Sequence, residues 1–165
     1  MGFARRIFSG NADPRRLMAS AMGSMIGIGL LAFLSVERGL PLLAASFGAT
    51  AVLVCSVPES PLARPKNVLL GHLISAMAGV ACSTAMGSEW YAMAIAVTLS
   101  ITLMSATGTT HPPGGATALI CVLYSVDASF VLAPVLAGAA ILTAVAWMVG
   151  KADSAARARA ARGGR

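Results

Sequence analysis

The placement of charge constrains this chain more than any other feature of its sequence. Its charged residues, 11% of the 165, lie at the two ends or in short breaks between apolar runs, and none lies in the middle of a run. Soluble domains carry about 25% charged residues, and a helix that crosses a bilayer needs about 20 predominantly apolar ones. The distribution therefore excludes an ordinary soluble domain and predicts an all-α, polytopic membrane protein with the lipid bilayer as a partner.

The net charge of +6 is concentrated near the ends of the chain. The basic residues there are Arg5, Arg6, Arg15 and Arg16 at one end and Lys151, Arg157, Arg159, Arg162 and Arg165 at the other. Positive charge that flanks membrane segments stays on the cytoplasmic side, close to anionic headgroups. We therefore expect a multi-pass protein of the cell inner (plasma) membrane with both termini cytoplasmic, and no nucleic-acid partner. The expected organisation is a basic arm (1–16), one transmembrane domain (17–150) and a basic tail (151–165).

The apolar runs predict four full spans and two shortened helices. The expected full spans are 17–36, 68–86, 90–107 and 130–149, and the expected short helices are 46–57 and 116–124. If both short helices cross the membrane, the linker 58–67, which carries Arg64 and Lys66, lies in the cytoplasm with the termini. If they dip in and return, these two cations lie outside, against the positive-inside bias. We therefore expect six crossings.

The most polar stretch inside the apolar region is Thr-Gly-Thr-Thr-His-Pro-Pro-Gly-Gly-Ala-Thr-Ala-Leu, at 107–119. Pro112 and Pro113 lack a backbone N–H and fix φ near the helical value, which suits the first turn of a helix. The glycines that allow a close approach of backbone to a neighbour or a ligand are Gly108, Gly114 and Gly115. The stretch therefore predicts a helix start at membrane depth, with its positive dipole end toward the centre of the protein.

A similar segment occurs earlier in the chain. Gly-Ala-Thr-Ala-Val-Leu at 48–53 resembles Gly-Ala-Thr-Ala-Leu-Ile at 115–120, and each begins the shortened middle element of a three-segment half. The halves are 17–86 and 90–149. Three crossings per half give the halves opposite orientations, which is the inverted-repeat plan of many transporters and channels.

In such a repeat the two Gly-Ala-Thr helix starts enter from opposite sides and meet near the midplane. Each offers unpaired helix N–H groups, a positive dipole end and one hydroxyl, a combination that favours a small anion. Either threonine alone is more simply explained as a helix cap, whereas the pair favours binding. The predicted substrate-binding residues are Gly48, Ala49, Thr50, His111, Gly114, Gly115, Ala116 and Thr117.

The two histidines have alternative interpretations. His111 precedes the helix start, and it serves equally well as a polar cap or as a titratable group beside the substrate. His72 is more often a satisfied polar residue than a gate. A metal site that joins them is unsupported, because no carboxylate or cysteine has ligand spacing, and no cofactor motif is present. Three cysteines within apolar runs favour buried thiols over disulfides.

Two blocks of sequence resemble the HPP family of small integral membrane proteins. One is His-Pro-Pro-Gly-Gly-Ala-Thr-Ala-Leu (111–119). The other combines Phe-Gly-Ala-Thr-Ala-Val-Leu (47–53), Pro-Glu-Ser-Pro-Leu-Ala-Arg-Pro-Lys-Asn-Val (58–68) and Gly71-His72. The family usually has Gln in place of Arg64 and Arg in place of Lys66. The structural motif residues that the resemblance marks are Pro58, Pro61, Pro65, Asn67, His72, Pro112 and Pro113.

The resemblance covers roughly 18–149 and implies a transporter; plant chloroplast members of the family are linked to nitrite.

Three classes of function remain open from the residues. A transporter or channel for a small inorganic anion such as nitrite explains the short, polar-started helices. A membrane scaffold or assembly subunit, including a homo-oligomer, does not need them. A histidine-dependent enzyme would need more ionisable groups beside them, so we expect no enzymatic activity. Ion coupling and the direction of transport do not follow from the sequence.

Overall fold

The computed structural model describes residues 13–40 and 42–163, and within these ranges it contains helices and connecting segments but no strand. Most of the predicted basic arm lies outside the described residues. The α-helices are α1 (Pro14–Val36), α2 (Ser46–Ala51), α3 (Pro65–Met86), α4 (Trp90–Ala106), α5 (Pro113–Leu123) and α6 (Ala137–Gly163). A π-helical segment, Val52–Ser56, continues α2, a 3-10 turn spans Pro61–Ala63, and a second π-helical segment, Val131–Leu136, leads into α6.

Three helical stretches in the described residues are long and apolar enough to cross a membrane: Pro14–Val36, Pro65–Met86 and Val131–Arg162. The fourth predicted full span is α4, which has 17 residues. At 1.5 Å per residue this is about 25 Å, the lower end of the range for a spanning helix. The all-α class is confirmed for the described residues, which contain no strand, whereas four full spans stay a prediction.

The two short helices lie where the prolines and glycines predict them. α5 starts at Pro113, with Pro112 as its N-cap, three residues earlier than the sequence analysis expects. α2 and its π-helical continuation end at Ser56, two residues before Pro58. The backbone before each helix is non-helical, at 42–44 and at 109–111. This irregular backbone is covered by protein in part, because Thr109 and His111 are buried.

Ion pairs gather three parts of the chain at one end of the bundle. Arg16, in the first turns of α1, pairs with Glu59 of the linker at 3.4 Å. Arg157, near the end of α6, pairs with Asp13 at 3.4 Å and with Asp153 at 2.7 Å. The start of α1, the linker and the end of α6 therefore lie together.

Small residues let the long helices pack closely. A Cβ at Gly27 of α1 would lie 2.6 Å from Leu142 of α6, and one at Gly23 would lie 3.1 Å from Cys55. Gly23 and Gly27 form a Gly-x-x-x-Gly pair on α1, and this pair lets α6 and the segment after α2 approach closely. A Cβ at Gly79 of α3 would lie 2.7 Å from the Ala118 carbonyl of α5. α5 is thus held tightly against α3, with α4 packed beside both.

Candidate functional site

Four polar side chains meet at the centre of the helical bundle. They are Thr50 of α2, His72 of α3, His111 just before α5, and Thr117 of α5, and each is 0–1% exposed. Thr50 Oγ1 lies 2.8 Å from Nε2 of His72 and 3.1 Å from Nε2 of His111. Nδ1 of His72 lies 2.8 Å from Thr117 Oγ1. We call these four residues the central cluster.

The local sequence explains how the central cluster is placed. Thr50 and Thr117 are each one turn inside a short helix, so the paired Gly-Ala-Thr segments bring both hydroxyls inward. His111 fits only because residue 71 of α3 is glycine, since a Cβ there would lie 2.6 Å from the His111 Cβ. Phe47 packs edge-on against the His72 ring, with the ring centroids 5.4 Å apart.

Two polar groups that the sequence analysis does not single out extend the cluster. Thr117 Oγ1 donates a hydrogen bond to Ser46 Oγ at 2.9 Å, which links the two short helices directly. Nδ1 of His111 lies 2.8 Å from the Leu62 carbonyl oxygen in the linker. Asn67 Nδ2 also donates to the Thr110 carbonyl oxygen at 3.0 Å. The predicted linker motif therefore anchors the irregular backbone before α5. The Leu62 carbonyl is a backbone group, so no residue type in the sequence indicates that it contacts His111.

Not every predicted site residue reaches the centre. Thr50, His111, Thr117 and Gly114 are buried there, and Gly114 packs against Ser75 of α3. Gly115 is half-buried, and three further predicted residues are exposed: Gly48, Ala49 and Ala116. A Cβ at Gly48 would meet nothing within 4 Å. The faces of the short helices that carry the glycine and alanine of Gly-Ala-Thr therefore point away from the cluster.

The expectation of unpaired N–H groups at the two helix starts is wrong for four of them. The Phe47 and Gly48 N–H groups donate to the carbonyls of Ala44 and Ala45. The corresponding donors at the start of α5 are the Gly114 and Gly115 N–H groups, which donate to the His111 and Pro112 carbonyls. The polar character of the site therefore comes mainly from side chains.

The imidazole of His111 does not cap α5, because its two nitrogens face Leu62 and Thr50. His72 is equally engaged, and the two ring centroids lie 4.9 Å apart. Among the described residues, no group of three or more His, Cys, Asp or Glu could hold a metal ion. No buried side-chain nitrogen or oxygen in that part of the chain lacks a hydrogen-bond partner. The central cluster is thus a closed hydrogen-bonded network.

A cavity of about 430 Å³ opens at the end of the bundle where the start of α1 and the later part of α6 meet the linker. Its walls come from α1, the segment after α2, the linker and α6. Ala63 lines it, and the preceding residue, Leu62, accepts the hydrogen bond from His111. The linker therefore contributes one residue to the wall of the cavity and the preceding residue to the central cluster.

Comparison with known proteins assigns the chain to a family. The model of the family described as "HPP, transmembrane region" matches residues 9–159. Two proteins of Dictyostelium discoideum, each named as a transmembrane protein, are similar: one is 40% identical over 141 residues, and the other is 44% identical over 120. These alignments cover 78% and 68% of this chain.

The matched regions are 49% and 39% of those two relatives, so the chain spans about half their length or less. No solved structure matches the chain. The family match covers the helical bundle up to residue 159 of α6, including both Gly-Ala-Thr segments and the linker between α2 and α3. The resemblance expected from the two motifs is confirmed, and the chain belongs to the HPP family of transmembrane proteins.

Proposed function

We propose that this protein is a transporter or channel for a small inorganic anion, with nitrite as the first candidate. The observation that carries the proposal is the central cluster, which joins the two short helices through fully buried hydroxyls and imidazoles. Polar groups in the interior of a membrane protein are costly and commonly mark a substrate or ion pathway. A scaffold that held its helices together by small residues alone would not need them.

The chemistry of the central cluster suits an anion better than a cation. Hydroxyl and imidazole N–H groups donate hydrogen bonds, and no carboxylate lies among the buried polar residues that the structure describes. In the proposed cycle the two short helices separate, and the anion takes over hydrogen bonds that Thr50 and Thr117 now make to the histidines. The cavity beside Ala63 supplies the approach from the end that carries the termini.

We further propose that the chain crosses the membrane six times as an inverted repeat. The Arg16–Glu59 pair sets the linker at the end where α1 begins. Because α1 leads away from that end, the chain between α1 and the linker has to return to it. The Arg157–Asp13 pair holds the end of α6 at this same end of the bundle. α6 therefore runs toward this end, and α5, which precedes it, runs away from it. The short helices then cross, with both termini and the linker in the cytoplasm.

The pairing of the long helices supports two inverted halves. α1 packs against α6 and α3 against α4, which are equivalent pairs when the halves exchange. The two short helices contact each other across the proposed pseudo-two-fold axis. The predicted halves, 17–86 and 90–149, thus correspond to α1–α3 and α4–α6.

Cysteine labelling tests this topology. In a background without Cys55, Cys82 and Cys121, a single cysteine at Ser60 should react only with reagent on the cytoplasmic side. A cysteine at Ser88, beyond the other end of α3, should react only from outside. Both positions lie in the connections that flank α3. Labelling of both from the same face would exclude six crossings and the inverted repeat.

The transport proposal is tested with purified protein in liposomes. We expect saturable uptake of at least one of nitrite, nitrate, formate and chloride, measured separately against protein-free liposomes. That subtraction matters most for nitrite, whose protonated form crosses bilayers unaided. Absence of flux for all four anions with correctly folded protein would contradict the proposal and favour a scaffold or assembly role, including homo-oligomer formation.

A further inference from the structure

Two imidazole nitrogens share one hydroxyl hydrogen at the middle of the central cluster. Thr50 Oγ1 lies within hydrogen-bond distance of Nε2 of both His72 and His111. A hydroxyl carries a single hydrogen, so it can donate to only one of these nitrogens at a time. The other nitrogen makes a hydrogen bond to Thr50 only if that nitrogen itself carries a hydrogen.

The outer nitrogens of the two rings limit where their hydrogens lie. Nδ1 of His111 faces the Leu62 carbonyl oxygen, which can only accept, so Nδ1 carries the hydrogen. The single hydrogen of the Thr117 hydroxyl has Ser46 Oγ and Nδ1 of His72 as acceptors within reach. When Thr117 donates to Ser46, Nδ1 of His72 donates to Thr117 Oγ1. Because a neutral imidazole has one N–H, two neutral rings then both turn an acceptor Nε2 toward the same Thr50 hydroxyl.

One additional proton resolves this conflict. Placed on Nε2 of either ring, it donates to Thr50 Oγ1, while the Thr50 hydroxyl donates to the other ring. We propose that Thr50 joins His72 and His111 into one site that binds a single proton shared between the two imidazoles. We also propose that this proton accompanies the anion, a part that rests on the transport function proposed above.

The proton can pass between the rings without loss of a hydrogen bond. Nε2–H of His111 gives its proton to Thr50 Oγ1 while the original Thr50 hydrogen passes to Nε2 of His72. One N–H bond breaks and one forms, and one O–H bond breaks and one forms, so threonine remains a neutral hydroxyl. The positive charge moves from His111, which contacts the linker, to His72, which contacts α5 through Thr117.

A counter-charge would stabilise a proton bound here, because a buried cation without a partner is costly. The charged residues of the linker and the start of α3 are exposed and do not supply one: Glu59, Arg64 and Lys66. The remaining titratable groups on α3, α4 and α5 are two buried thiols and one partly exposed phenol: Cys82, Cys121 and Tyr91. A bound anion would supply the missing charge. Proton and anion would then increase each other's affinity by the same factor, as linkage requires.

Nuclear magnetic resonance of ¹⁵N-labelled histidine tests the shared proton directly, because the chain contains only two histidines. In wild-type protein without anion, acidification should shift the ring signals of both histidines together, each by part of the full imidazolium shift. Thr50→Val removes the bridge, so the two rings should titrate separately. Thr50→Ser keeps the hydroxyl and should retain the joint titration.

A matched control comes from a hydroxyl pair outside the cluster. Ser75 of α3 and Ser100 of α4 are buried, and their Oγ atoms lie 2.6 Å apart. Because this pair lies outside the central cluster, Ser100→Ala should leave the joint titration unchanged. If a single histidine titrates alone in the wild-type protein, the shared site is wrong. The same holds if Thr117 donates to Nδ1 of His72 and both rings stay neutral through the titration. The wild-type spectrum decides both points even if Thr50→Val does not fold.

Coupling to transport is measured separately in liposomes that contain a pH-sensitive dye. Under an inward nitrate gradient at neutral pH, we expect about one proton to enter with each anion, by charge balance at the site. Anion flux without proton movement would overturn the coupling while the spectra still test the shared site. A joint titration with no flux of any anion would instead leave the proton site standing and remove the transport proposal.

Discussion

Gly79→Ala should destabilise the protein, although alanine is the better helix former. A Cβ at this position of α3 would lie 2.6 Å from the Cys121 Cβ and 2.7 Å from the Ala118 carbonyl oxygen of α5. A backbone carbonyl cannot turn aside as a side chain can, so α5 has to move away from α3. Overpacking of this kind costs about 1–3 kcal/mol. We therefore expect a lower free energy of unfolding, measured in detergent by circular dichroism with increasing denaturant.

Gly29 of α1 provides the matched control. It also lies within a long apolar helix, but a Cβ there would meet nothing within 4 Å. Gly29→Ala should therefore leave stability unchanged or raise it by about 0.5–1 kcal/mol, the gain expected from helix propensity. If both variants gained stability alike, the close packing of α3 against α5 would be wrong, and with it the position of Thr117.

Thr50→Val should destabilise the fold more than its small change of shape suggests. Valine keeps the volume of threonine but leaves Nε2 of both His72 and His111 without the hydroxyl. A buried polar group that loses its partner costs about 1–3 kcal/mol, so we expect a loss of about 2 kcal/mol or more in the free energy of unfolding.

Thr50→Ser distinguishes the effect of the hydroxyl on stability from that of the methyl group. Serine keeps the bridge between the imidazoles and removes one buried methyl, which costs about 1 kcal/mol. The free energy of unfolding, measured with denaturant in the same detergent, should therefore be higher for Thr50→Ser than for Thr50→Val. Equal stabilities, or a more stable valine variant, would show that Thr50 does not hold the histidines together.

Proline, glycine and charge predicted the bounds of α1 to α5, with the π-helical continuation of α2 included, to within three residues, because these residues act locally. Pro65 and Pro113 begin α3 and α5, and Gly87, at φ +72°, follows the end of α3. The end of α6 was different, since the helix continues from the apolar run through the tail to Gly163. Alanine and arginine are strong helix formers, and Arg157 pairs with Asp153 four residues earlier. Loss of hydrophobicity marks the end of the apolar run, not of the helix.

The site was harder to predict than the helices because its contacts are long-range. The sequence motifs predict Thr50, His111 and Thr117 as binding residues and His72 only as a motif residue. In the structure, His72 bridges both threonines from 22 and 45 residues away. The inward face of each short helix was also undetermined, because Gly-Ala-Thr segments have too little polarity contrast to show a periodic face. This is why Gly48 and Ala49 were assigned to the site although they are exposed.

The central claim is that the buried cluster forms the anion site, and anion flux through Thr50→Val and Thr50→Ser tests it most directly. Liposomes with equal amounts of each folded variant should be compared with wild-type protein at low anion concentration. Loss of one hydrogen bond to a charged ligand is worth about 1.5–3 kcal/mol, so the valine variant should transport roughly tenfold more slowly or worse. The serine variant should stay close to wild type. If both variants carry the anion at the wild-type rate, the central cluster is a structural tie between helices and not the path of the anion.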